Sequence, residues 1–157
     1  MNSLIKIIKE NKLFFALIGA LGLVALFKET TKKKIFISFA IEDSNMRDLL
    51  VGQVKNSRSP FEFRDHSVYE PWDSAWKTHC REEIRNSDGV IALLSNKTWK
   101  ADGQRWEIKC AVEEGIPIIG VHAYKKKDRR GVIPQELNRQ KVIEWNWEEI
   151  IKFIDSI

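Results

Sequence analysis

Cysteine and histidine are scarce: two Cys and three His in 157 residues. Cys80 and Cys110 fall on separate expected helices and cannot make a disulfide framework, which fits a reducing compartment. His66, His79 and His122 are scattered and no CxxC is present, so no metal site and no resident cofactor are expected. The eight glycines never gather into a Gly-rich turn after an apolar strand. That excludes a P-loop and a dinucleotide fingerprint. There are no internal repeats. Strong charge of one sign is missing as well. The net charge of +4 is carried by the first 34 residues, which hold +5, while the remaining 123 hold −1. A near-neutral body gives no nucleic-acid footprint.

The basic residues Lys6, Lys9, Lys12, Lys28 and Lys32 to Lys34 flank one apolar run, Leu13 to Phe27 (LFFALIGALGLVALF). As a helix this run spans about 22 Å, short of the ~30 Å hydrocarbon core. Leu4, Ile5, Ile7 and Ile8 extend it upstream, and lysines can snorkel to headgroups. The reading is a single membrane helix over 4–28, in a segment 1–31 that serves as anchor and juxtamembrane linker. A secretory signal peptide is the first rival, but no small-x-small cleavage site follows. A buried or docking helix is the second. The denser basic cluster on the C-terminal side favours a single-pass membrane protein with its body, 32–157, in the cytoplasm.

From Lys34 onward the pattern alternates. Ile35–Ala40 (IFISFA) reads as a buried strand. A helix follows over 43–55, capped by Asp43 or Ser44, with Met46, Leu49, Leu50 and Val54 on one face. Phe61–Asp65 reads as a second strand. A helix from Asp73 to about Ser87 turns Ala75, Trp76, His79, Cys80 and Ile84 inward. Val90–Ser95 (VIALLS) is a third strand. A helix over about 104–114 ends at Gly115, and Ile116–Val121 is a fourth strand. A basic loop leads to a short strand, Val142–Glu144, and a closing helix, Trp147–Ile157. Such alternation implies an α/β fold: a flavodoxin-like three-layer sandwich around a parallel five-stranded sheet.

In such sheets the ligand crevice lies beyond the strands' carboxyl ends. A phosphoreceiver would find its acidic pair in Glu42 and Asp43. It would find no Asp ending the third strand, which runs out in Ser95-Asn96, and His122 stands where it needs a lysine. Asp65-His66-Ser67 cannot converge as a triad, because neighbouring strand residues point to opposite faces. One carboxylate remains at the crevice, Glu107. Breaking an N-glycosidic bond passes through an oxocarbenium-like sugar that a buried carboxylate can stabilise. Burial would raise its pKa, and Arg105 or Lys109 would lower it. The plainer alternative is a solvated first-turn carboxylate favoured by the helix dipole.

KKKIFISFAIED (32–43), FRDHSVYE (63–70) and SDGVIALLSNKTWKADGQRWEIKCAVEEGIPIIGVHA (87–123) together resemble the TIR-like domain family. Within it the chain is most similar to the Thoeris anti-phage TIR-like proteins. The resemblance implies an enzyme that cleaves NAD, as substrate, at the nicotinamide–ribose bond. It further implies a cyclic ADP-ribose-type signal, a separate NAD-consuming effector and self-association through the domain. Glu107 aligns with the family's catalytic glutamate. Phe39 and Ala40 align with the loop lining the substrate crevice, Asp65 with the second-strand Asp, and Ser95 with the serine ending the third strand. Trp106 is a candidate to stack on a base or ring, with core packing as an equal reading. Two departures stand out: Gly103 where many relatives carry a Trp, and Ala40 where Thoeris relatives often carry a His. The loop KKKDRR (125–130) reads as solvated or as a phosphate or lipid contact. Trp72 and Trp76 read as packing against the sheet edge. A non-catalytic adaptor, self-associating at the membrane, is the alternative function.

Overall fold

The computed structural model describes residues 32–56, 61–64 and 75–157, within one unit spanning Lys32–Ile157. The expected membrane helix, Asp65, Trp72 and Asp73 lie outside the described residues. Among the described residues no helix is long and apolar enough to cross a membrane.

Five parallel strands form one sheet in the order β2-β1-β3-β4-β5. They are β1 (Lys33–Phe39), β2 (Phe61–Arg64), β3 (Gly89–Leu94), β4 (Ile118–His122) and β5 (Val142–Glu144). The helices are α1 (Ser44–Asn56), α2 (Trp76–Arg85), α3 (Asp102–Glu113), the short α4 (Lys127–Arg130) and α5 (Trp147–Ser156). This order is that of a doubly wound flavodoxin-like sheet. Each apolar strand run follows from burial on both faces; every residue of β3 is buried.

Two cores result. On one face Leu50 and Val54 of α1 and Ile150 and Ile154 of α5 pack on Ile35, Ile37, Ile91 and Leu93. On the other, Trp76, Cys80 and Ile84 of α2 and Ile108 and Ala111 of α3 pack on Phe36, Val90, Ala92 and Leu94. The i, i+4, i+8 spacing of the α2 set places one stripe on the sheet side.

Several local expectations change. Leu49 is exposed, since the buried stripe of α1 runs through Leu50 and Val54. His79 is exposed while its neighbour Cys80 is buried, as the 100° step between helical neighbours requires. Asp43 is not a helix cap. It sits in a 3₁₀ turn, Ile41–Asp43, with its side chain turned into the protein. Gly115 ends α3 as expected, at φ +68. The basic loop carries α4, a single turn that periodicity could not reveal.

Candidate functional site

The strands' carboxyl ends bring two polar clusters together. The first surrounds Glu107, in the second turn of α3. Ser38, a lone hydroxyl in the apolar β1, donates to Glu107 Oε2 at 2.7 Å. Cys80 Sγ lies 3.9 Å from Oε1 on the α2 side. One carboxyl therefore spans the gap between sheet and α2. Burial pushes the Glu107 carboxyl up to about 8, against the lowering effect of the bonds from Ser38 and Cys80. The two basic neighbours in sequence do not offset this. Arg105 pairs with Glu136 at 2.9 Å through Nε, and Lys109 reaches Glu113 at 3.6 Å. Helical geometry turns both away from the carboxyl. Burial and the charge of Glu107 push the Cys80 thiol far above its usual range, so it is a thiol and not a nucleophile.

Gln104, one turn before Glu107, ties α3 to the strand ends. Its Nε2 donates to Leu93 O at 2.7 Å and Ser38 O at 3.3 Å. Trp76 heads α2, and its indole lies over Gly103, where an added Cβ would sit 3.8 Å from Cζ2 and Cη2. That is ordinary van der Waals contact, so the ring packs directly on the start of α3.

The second cluster joins β1, β3 and β4. Asp43, 2% exposed, accepts from Ser95 Oγ at 2.5 Å and from Tyr124 Oη at 2.9 Å. Ser95 Oγ also accepts from Lys97 N at 2.9 Å. The chain at Gly131, φ +66, presses on this turn: a Cβ there would meet Ser95 O at 2.5 Å and Asn96 Cα at 2.7 Å.

The expected site residues separate accordingly. Phe39 ends β1 half-buried, with the Arg47 guanidinium 5.3 Å from its ring centroid. Ala40 and Ser95 are buried, each 1% exposed. Ala40 contributes its carbonyl to Asp43 N, and Ser95 its hydroxyl to Asp43. Trp106 faces α2: its ring packs 5.1 Å from that of Trp76, with Arg81 at 5.6 Å and Lys77 at 5.9 Å. Asp65 lies outside the described residues. Among the described residues no group of three or more His, Cys, Asp or Glu could hold a metal ion.

Sequence reading did not single out Ser38, Gln104 or the structural part of Asp43. A signal for Ser38 was present, as the one polar residue in the strand run IFISFA. Gln104 stood at i, i+3 from Glu107 on the same helix face.

Comparison with protein families finds that the model of Thoeris protein ThsB, TIR-like domain, matches residues 36–128. That stretch holds both polar clusters, the second half of β1, and β2 to β4. The chain belongs to the ThsB TIR-like domain family. Membership carries an anti-phage defence role of the Thoeris kind. No curated protein matches the chain. Within this TIR-like domain, Glu107 is the one carboxyl that reaches from the sheet to α2 among the described residues.

Proposed function

We propose that this TIR-like domain cleaves NAD at the nicotinamide–ribose bond, with Glu107 as the catalytic carboxylate. The observation that carries the reading is the half-buried Glu107, its carboxyl held by Ser38 beside the strand ends. As the C1′–N bond breaks, its electron pair moves onto the pyridinium nitrogen and neutral nicotinamide leaves. The ribose is left as an oxocarbenium-like cation, which an ionised Glu107 stabilises in a low-dielectric site. Attack at C1′ by water gives ADP-ribose. Attack by an adenine nitrogen gives a cyclic isomer, the form that suits a signal to a separate NAD-consuming effector. Either attack releases one proton, for which Glu107 is an acceptor.

The test is nicotinamide release from NAD by the full-length protein. Glu107→Gln keeps the side chain's shape and removes the charge. Activity that survives this substitution would sink the reading.

A second reading has its own observation. Ala40 and Ser95 are buried, and the end of β3 is held down by the Gly131 segment. A strand end closed in this way suits an adaptor that self-associates. Absence of nicotinamide release from the oligomeric full-length protein would select it. In either reading the apolar run 13–27 with its flanking lysines is proposed to hold the domain to a membrane through lipid contact.

A further inference from the structure

Two buried polar atoms beside Glu107 meet no partner among the described residues: Trp76 Nε1 and Gln104 Oε1. Trp76 is 8% and Gln104 3% exposed. Leaving such a group unpaired is costly, so each needs an explanation.

Both side chains are fixed. Gln104 spends its two amide hydrogens on Leu93 O and Ser38 O. The opposite amide orientation would set oxygen against two carbonyl oxygens, so Oε1 points away from the strand ends. Trp76 is held by Trp106 on one side. Its Cζ2 and Cη2 lie over Gly103, and Nε1 is two bonds from Cζ2. The N–H therefore sits on the ring edge next to α3.

Helical spacing stacks these groups. Gly103 and Gln104 precede Glu107 by four and three residues, and Trp76 precedes Cys80 by four. Each offset is about one turn, toward the helix starts at the strands' carboxyl ends. A tier of Trp76 and Gln104 thus overlies the tier of Cys80, Glu107 and Ser38.

The upper tier offers one donor and one acceptor, both unpaired. We propose that Trp76 Nε1 and Gln104 Oε1 recognise a primary carboxamide, that of the nicotinamide ring. The indole N–H donates to its carbonyl oxygen, and the Gln104 oxygen accepts from its NH₂. The choice of nicotinamide rests on the NAD reading of Glu107. In that reading the pair grips the leaving group above the carboxylate that faces the sugar.

Two measurements test the pair on the full-length protein. The first is the Trp76 indole N–H resonance during titration with nicotinamide or with nicotinate. Nicotinate brings a carboxylate with no N–H donor. The signal should move downfield with nicotinamide and much less with nicotinate. A signal unmoved by nicotinamide, or moved equally by both, overturns the pair.

The second is kinetic. Trp76→Phe should raise the KM for NAD about 5–10-fold and leave kcat within about twofold, as loss of one hydrogen bond to bound substrate predicts. A variant with higher Tm and unchanged KM would mark the N–H as a core defect and overturn the pair. Wild-type protein that releases no nicotinamide, yet whose Trp76 signal answers nicotinamide over nicotinate, would overturn NAD cleavage alone.

Discussion

Ser38 Oγ and Glu107 Oε2, 69 positions apart in the chain, share a hydrogen bond of 2.7 Å. The hydroxyl is fixed by a buried strand and the carboxyl by a helix, so neither can follow the other if one is removed. The bond stabilises the charged form and works against burial. Ser38→Ala should therefore raise the Glu107 pKa beyond about 8. The acidic limb of nicotinamide release, which reports ionisation of Glu107, should shift to higher pH, while the fold stays intact by circular dichroism. An unchanged pH profile would separate Ser38 from the carboxyl's ionisation.

The same carboxyl links stability to pH. Its folded pKa of about 8 exceeds the ordinary value of 4.5. The folded state thus holds the proton more tightly. This contribution to stability is full below about pH 4.5 and is lost as pH rises through about 8. Glu107→Gln cannot ionise and should remove that loss. Its advantage over the wild type in unfolding free energy, read from denaturant curves, should grow from acid to pH 8 and then level, reaching about a few kcal/mol. A difference that is flat with pH would mean the carboxyl is not desolvated.

Asp43 should matter for stability more than for chemistry. Removing its carboxylate in Asp43→Ala leaves the hydroxyls of Ser95 and Tyr124 without their acceptor. Hydrogen bonds to a charged group are worth about 1.5–3 kcal/mol each, so a loss of about 3 kcal/mol is expected in urea unfolding. Tyr124→Phe, which removes one of the two bonds, should cost less.

At Gly131 the backbone has φ +66, and a Cβ would collide with the backbone of Ser95 and Asn96. Neither neighbour is a flexible side-chain tip. Gly131→Ala should cost at least about 2 kcal/mol, from conformational strain plus the clash. Amide exchange at Asn96, whose N–H bonds Arg129 O, should quicken selectively.

Deletion of residues 1–31 should move the protein from the membrane pellet to the supernatant with its Tm preserved. Aggregation of the shortened chain would favour a docking helix instead.

Much of the fold was legible because the apolar runs were unambiguous. IFISFA, VIALLS and VIE became β1, β3 and β5 within two residues at each end. Glu107 was singled out because the crevice rule and the motif both point to the start of α3. Its partners were harder to see. Ser38 and Cys80 lie far from it in sequence, and only the crossing of β1, α2 and α3 brings them together. Trp76 was read as packing on a sheet edge, since nothing local shows that α3 brings Trp106 and Gly103 against its ring. Asp43 looked like a cap because a carboxylate before a helix usually is one. The hydroxyls that draw it inward come from two other strands.

The sheet also limits how copies of this domain could join. Among the described residues its edges are β2, with four residues, and β5, with three. Strands so short present few free N–H and C=O groups to a neighbour, which guards against pairing edge to edge. Edges of this kind favour assembly through helix faces and loops, with each sheet left a closed unit.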